Sequence, residues 1–297
     1  MAANVGYKVE KILIFWAESP VYVGSERGVG TIDLRLQRNV TTNVPEIYST
    51  SLKGALRNHL SLIAEDDSLK NEINWIFGDE NRIGAVSFLN LKILLLPVHS
   101  NFYSYVFVTS PSQLADFSRL LHMKGEELGF DLSGLYGLSD GEATVDKSFP
   151  AGDGEYLYLA NASFRFKIKK MDLSNLIKKL SEVVKVDVPG YDYLLTKIKK
   201  ALVIVSDESF MRISNRALFR VARIRIVPET KTAETGALFF QELLPEYSIF
   251  FTAVLVSQRA KKHGDPVKRL MDLFDKKLIN LGGDESVGRG FLRIKFY

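Results

Sequence analysis

Apolar runs of strand length and segments of helical period alternate along this chain without a fixed interval. A doubly wound parallel sheet would repeat strand and helix at near-regular spacing. Irregular alternation favours an antiparallel sheet with helices packed on one side. Lys11–Trp16 (KILIFW) is apolar almost throughout and reads as the first buried strand, closed by Ser19-Pro20. Val86–Val98 and Tyr103–Val108 read as strands, the second antiparallel to the first. Tyr156–Lys169 holds one or two more, with Phe164, Phe166 and Ile168 alternating with basic residues. Ala201–Val205, Ser248–Val256 and Phe291–Tyr297 complete the set.

The helices are marked by spacing and by caps. Leu52, Leu56, Leu60 and Ile63 recur at helical period over Ser51–Ala64, and the acids Glu65, Asp66 and Asp67 end that helix in a solvated turn. Ser110-Pro111 starts a helix lined by Leu114, Phe117, Leu120 and Leu121. Asp172 caps one lined by Leu173, Leu176, Ile177 and Leu180, and another runs over Tyr191–Lys200. Asp265-Pro266 opens the last, with Val267, Leu270, Met271, Phe274 and Leu278 on one face. Ser206-Asp207 reads as the cap of a short turn. From Gly125 to Glu155 the pattern breaks into glycine, serine and aspartate and reads as an insertion. At 297 residues the chain allows one elaborated domain or two small ones, of which a single domain over 1–297 is the expectation.

Composition narrows the chemistry. No cysteine is present, which excludes disulfides, thiolate metal sites and cysteine nucleophiles. His59, His99, His122 and His263 show no metal-ligand spacing. A net charge of +4 permits nucleic-acid binding, but the placement of the cations must carry it. With no long apolar run and no basic-apolar leader, a soluble cytoplasmic protein without a membrane partner is expected.

The stretch richest in chemistry is Gly24 to Arg57. It opens as a glycine-rich loop through Gly24, Gly28 and Gly30, followed by one acid, Asp33, between Ile32 and Leu34. Arg35, Gln37 and Arg38 follow, then the helix carrying Lys53 and Arg57, which project from one face. Glycines let backbone amides approach a phosphate, and a helix N-terminus favours anions. Gly54, costly inside a helix, is expected where another backbone or an RNA strand comes close. Asn74–Gly78 (NWIFG) reads as a buried Trp75/Phe77 plug as readily as a ligand site. In Phe219–Val227, strand alternation puts Ala222, Ile224 and Ile226 on one face and Arg223 and Arg225 on the other. That basic stripe is either a solvated face or a track for a backbone.

Three segments, in order, resemble one family. Gly30-Thr31-Ile32-Asp33, Leu36-Gln37-Arg38 and Ser51-Leu52-Lys53-Gly54-Ala55-Leu56-Arg57 form the first. Pro228–Phe239 (PETKTAETGALF) is the second, and Gly282-Gly283 through Gly288-Arg289-Gly290 the third. Together they resemble the CRISPR RAMP proteins, specifically the repeated backbone subunits of the type III-B (Cmr) effector complex. Val21-Tyr22-Val23 stands where that family often carries a histidine, and Arg35 where a proline is more usual.

The resemblance implies an α+β fold, a ferredoxin-like or RRM-like RAMP core with insertions and a protruding β-hairpin, the thumb, at about residues 228–240. It implies guide RNA, single-stranded target RNA, other copies of the chain and other Cmr subunits as partners. It also implies metal-dependent endoribonuclease action, with Mg²⁺ or Mn²⁺, that cuts target RNA at regular intervals. Asp33 is then the catalytic candidate, as general base or as metal ligand. Arg38, Lys53, Arg57, Arg223, Arg225, Lys231, Thr232 and Arg289 are the RNA-binding candidates. A non-catalytic structural subunit and the equivalent type III-A backbone subunit are the alternatives. A guide-processing nuclease of the same class is a further alternative; it would normally need a general acid-base pair, often histidine, and the lack of a placed histidine argues against it.

Overall fold

The structure is a computed structural model that describes residues 6–25, 32–64, 66–224, 230–232, 238–257 and 264–297. Its strands are β1 (Tyr7–Ala17), β2 (Glu46–Ile47), β3 (Gly78–Asp79), β4 (Arg82–Ile83), β5 (Val86–Phe88), β6 (Leu91–Val98), β7 (Val106–Thr109), β8 (Glu142–Asp146), β9 (Tyr156–Leu159), β10 (Phe164–Met171), β11 (Leu202–Val205), β12 (Phe219–Arg223), β13 (Phe239–Leu243), β14 (Ile249–Ser257), β15 (Leu278–Asn280) and β16 (Phe291–Phe296). Its helices are α1 (Ser49–Ile63), α2 (Asp67–Phe77), α3 (Pro111–Lys124), α4 (Ser174–Val184), α5 (Tyr191–Ala201), α6 (Asp207–Arg216) and α7 (Pro266–Phe274).

One large sheet runs β15-β16-β1-β14-β6-β7-β11-β8-β10-β9, with β2 paired to β6 and β5 to β14. It is mixed, because β11 runs parallel to β7 and β10 parallel to β8. Helices cover both faces, not one as the alternation of elements suggests. Alternate residues of β1 show why. Leu13 and Phe15 enter a core with Leu52, Leu56 and Leu60 of α1. Ile12, Ile14 and Trp16 enter a second core with Phe117 of α3 and Leu180 of α4. A strand buried on both faces reads as a continuous apolar run, which is what KILIFW is.

Several elements depart from the sequence reading. The Gly125–Glu155 stretch supplies β8, which sits inside the sheet between β11 and β10. Asp66 does not merely end α1. Its side chain accepts from the Leu69 amide and starts α2, whose last residue Phe77 is buried. Ser206 caps a ten-residue helix, α6, rather than a short turn. Ile63 and Leu278 lie off their predicted apolar faces and are exposed, Leu278 because α7 has already ended at Phe274. Asp265 does cap α7, accepting from the Val267 and Lys268 amides.

β12 and β13 form a separate two-stranded antiparallel ribbon, the base of the expected thumb. The tip of that hairpin, apart from residues 230–232, lies outside the described residues, as do Gly28, Gly30, Arg225 and His263.

Candidate functional site

The described segments on either side of the first glycine-rich loop pair antiparallel, Gly24 with Leu36. The Ser25 amide donates to the Arg35 carbonyl at 2.9 Å and the Gln37 amide to the Val23 carbonyl at 3.0 Å. These bonds fix the arms on either side of residues 26–31. Buried Gln37 anchors the arms to α1. Its Nε2 donates to the Gly24 carbonyl and to Ser51 Oγ, and its Oε1 accepts from the Tyr48 amide at 2.7 Å. The sequence reading gave Gln37 no role beyond the motif. Its importance depends on this three-way bridge between segments up to 14 residues apart.

Asp33 stands on the second of these segments, just after residue 31. That arm lies parallel along β13, with the Leu34 amide donating to the Phe240 carbonyl at 3.1 Å and the Glu242 amide to the Leu34 carbonyl at 3.0 Å. The Phe240 amide donates to Asp33 Oδ2 at 2.9 Å. The side chain is otherwise exposed. A backbone amide of the ribbon thus orients one oxygen of this solvent-facing carboxylate.

The second glycine-rich loop docks on the first. Gly282 has φ +106°, and a Cβ there would lie 2.0 Å from the Tyr22 carbonyl oxygen, so no side chain fits. The Gly283 amide donates to that same carbonyl at 3.0 Å. This contact presents Asp284, which gathers the polar residues around it. Gln241 Nε2 donates to Oδ2 at 2.7 Å, Arg223 to Oδ1 at 2.7 Å, and Arg289 to Oδ2 at 3.2 Å. Arg289 also donates to Gln241 Oε1. Burial pushes the Asp284 carboxyl up. The hydrogen bonds from Gln241 and Arg223 and the charges of both arginines outweigh it, holding the group below the usual carboxylate range. Burial first, then the charge of Asp284, raises the Tyr22 phenol, with Arg223 opposing. Asp284 and Gln241 were not singled out from sequence. The available signal was a lone aspartate inside the Gly282–Gly290 loop.

This cluster reverses one expectation. On β12 the half-buried face carries Val221 and Arg223, while Ala222 and Ile224 face solvent. Arg223 turns inward because Asp284 and Gln241 lie beneath it. Arg38 is likewise engaged inside the protein. It donates to Asn215 Oδ1 at 2.9 Å, the Leu36 carbonyl at 3.0 Å and Glu242 Oε2 at 2.7 Å, with Glu242 only 5 % exposed. Its guanidinium clamps the Asp33 arm to α6 and β13 and is not a free phosphate ligand. Lys231 and Thr232 are exposed, Lys231 with φ +54°.

Lys53 and Arg57 do share a face, at a cleft of about 870 Å³ lined also by Thr50, Gly54, Gly78 and Arg82. Arg57 donates to the Gly78 carbonyl at 2.9 Å and Asn74 Oδ1 at 3.0 Å, tying α1 to the end of α2. Among the described residues Lys53 makes no ion pair or hydrogen bond. A Cβ at Gly54 would meet nothing within 4 Å. Among the described residues no other backbone meets Gly54 on that side, and its bareness opens the cleft beside the Lys53 ammonium group.

No group of three or more His, Asp or Glu among the described residues is placed to hold a metal ion. Asp33 offers one exposed carboxylate. That donor set fits a hard divalent cation that takes its remaining oxygens from water and a phosphate, and it does not fit a closed protein cage.

The comparisons with known proteins agree from end to end. Residues 15–293 match the RAMP superfamily. A curated relative, the "CRISPR system Cmr endoribonuclease Cmr4" of Pyrococcus furiosus, is 32% identical over 288 residues, covering 93% of this chain and 92% of the relative. The crystal structure of oligomeric Cmr4 from Pyrococcus furiosus superposes with a TM-score of 0.73 at 25% identity, covering 97% of this chain and 98% of that one. A chain of the type III-B Cmr-beta complex bound to cognate target RNA shares the fold, with a TM-score of 0.74 at 22% identity and 98% of each chain covered. The chain belongs to the RAMP superfamily, and within it to the Cmr4 family.

Proposed function

We infer that this chain is a repeated backbone subunit of a type III-B (Cmr) CRISPR ribonucleoprotein in the cytoplasm, and that it cleaves target RNA paired to the guide. The observation that supports this most is the end-to-end relation to a protein named as a Cmr endoribonuclease. The name of the oligomeric Cmr4 structure supports assembly with further copies of the chain. No helix among the described residues is long and apolar enough to cross a membrane. The type III-A alternative finds no support in the names of these relatives.

In this reading Asp33 does the chemistry. Its carboxylate, oriented by the Phe240 amide, takes the proton from a target ribose 2′-hydroxyl. The 2′-oxygen forms a bond to the adjacent phosphorus as the bond to the 5′-oxygen breaks. That oxygen takes a proton from water, leaving a 2′,3′-cyclic phosphate and a free 5′-hydroxyl. Where Mg²⁺ or Mn²⁺ binds, Asp33 is the residue that would hold it, in place of acting as the base, and the metal would supply charge neutralisation at the phosphate. Lys53 and the open face at Gly54 hold the RNA backbone without reading sequence, leaving specificity to base pairing. Arg57 borders that cleft, Lys231 and Thr232 face solvent near the ribbon, and Arg223 and Arg289 act through the Asp284 cluster.

The test is cleavage of end-labelled target by the guide-loaded complex, carrying parent chain or Asp33→Ala, with and without Mg²⁺ or Mn²⁺. A metal-dependent ladder of constant spacing that vanishes in Asp33→Ala, while guide binding persists, is the expected result. No ladder from either form would favour a structural subunit.

A further inference from the structure

The half of the sheet from β6 to β9 curls back on itself. Ser100, just after β6, bridges Leu159 of β9, and the Ala160 amide donates to the His99 carbonyl at 3.0 Å. Asn101 Oδ1 accepts from the Tyr158 amide at 2.9 Å. Inside this turn Leu157, Leu159, Phe166 and Ile168 are all buried. On the outer side, Ile204 of β11 packs into the core formed with α3, α4 and α5. On the outer face of β9 and β10, Tyr156, Tyr158, Arg165, Lys167 and Lys169 are exposed, while Met171 at the end of β10 packs against that core.

Two observations set this face apart from an ordinary solvated strand. Arg165, Lys167 and Lys169 make no ion pair or side-chain hydrogen bond among the described residues. Half-buried Glu142, paired with Lys167 across the sheet, accepts from the Ser139 amide at 3.4 Å. The cations also stand against aromatic rings. Arg165 lies opposite Tyr158 and Lys167 opposite Tyr156, and the Arg165 guanidinium sits 4.7 Å from the centre of the Tyr156 ring. Alternate residues of a strand stand about 6.6–6.8 Å apart, so the three cations form an evenly spaced line that an extended polyanion can follow. Two exposed tyrosines beside that line offer π-faces on which any base stacks. An acidic protein surface would use the cations but not the paired rings.

We propose that the outer face of the β9–β10 hairpin binds single-stranded nucleic acid, as a contact surface separate from the cleft at Lys53. The choice of RNA over DNA rests on the function proposed above; the binding chemistry does not.

The experiment is anisotropy of a short labelled oligouridine with the full chain, titrated over a range of salt. All proteins carry Lys53→Glu to weaken the other cleft. Adding Arg165→Glu, Lys167→Glu and Lys169→Glu together is expected to lower the log K against log salt slope by about 2, at roughly 0.7 per phosphate contact on a single strand. Tyr156→Ala with Tyr158→Ala is expected to weaken binding about tenfold or more at unchanged slope, while the two Phe variants keep affinity. A 4-thiouridine probe should photocrosslink to Tyr156 or Tyr158. Parent affinity and slope in the charge and Ala variants would overturn the proposal. So would crosslinks confined to other residues, or hairpin-dependent capture of polyglutamate in place of RNA. These readouts need no cutting, so a failure of the cleavage ladder leaves them intact.

Discussion

Asp33 and Asp284 look alike in sequence, each a lone aspartate beside clustered glycines, one near each end of the chain. The fold brings them to adjacent positions of the same strand. Asp33 accepts from the Phe240 amide, and Asp284 accepts from the side chain of Gln241. Their surroundings then diverge. Asp284 is partly buried under Gln241, Arg223 and Arg289, its charge matched and its acidity increased. Among the described residues Asp33 has one backbone donor, and it is exposed to solvent. A carboxylate already held by two arginines is a structural hub, whereas one oriented by a single amide remains free to meet substrate. The difference comes from which loop carries the neighbouring cations inward, and sequence spacing does not encode that.

The comparison can be broken at the loop that presents Asp284. Gly282→Ala puts a Cβ into the Tyr22 carbonyl at a positive φ, and is expected to cost more than about 2 kcal/mol by urea unfolding. A parent-like midpoint would mean the two glycine loops do not depend on each other. Asp284→Ala should come next. It leaves Gln241 Nε2 and two guanidinium groups without their acceptor, at about 1–3 kcal/mol in the same measurement.

The pH dependence follows from the same carboxyl. The folded value of Asp284 lies below an unfolded value of about 3.9, so its contribution is present above that pH and is lost as pH falls through the folded value. Asp284→Asn should therefore flatten the acid limb of a melting-temperature profile below roughly pH 4. The smallest effect sharpens the contrast at α1. Gly54→Ala gains up to about 1 kcal/mol of helix propensity, since nothing blocks the added methyl. It should raise the melting temperature while weakening RNA binding. Unchanged RNA affinity would remove the cleft from the binding surface.

Much of the scaffold was legible where a local rule acts alone. The Ser110-Pro111 and Asp265-Pro266 starts, the helix over Leu52, Leu56 and Leu60, and the KILIFW strand all follow from spacing and caps. The site was legible as a set of segments but not as a division of labour. Arg38 and Arg57 sit in the matching motif beside Lys53, yet Arg38 pairs with Glu242 and Asn215, more than 170 residues away, and Arg57 with the end of α2. Arg223 turned inward against the hydropathy of its strand because β12–β13 is a ribbon lying over Asp284, not a strand over an apolar core. β8 was hidden because its neighbours in the sheet, β11 and β10, follow it in the chain and its own run of Ala143, Thr144 and Val145 is short.

Single-turnover cleavage of guide-paired target RNA by complexes carrying Asp33→Asn or Asp284→Asn tests the central claim most directly, with guide binding measured alongside. The account predicts a loss of about 10²–10⁴-fold in rate for Asp33→Asn with guide binding retained, and persistent cleavage for Asp284→Asn. A parent-like rate in Asp33→Asn, or a collapse confined to Asp284→Asn, would place the chemistry on the wrong aspartate and contradict it.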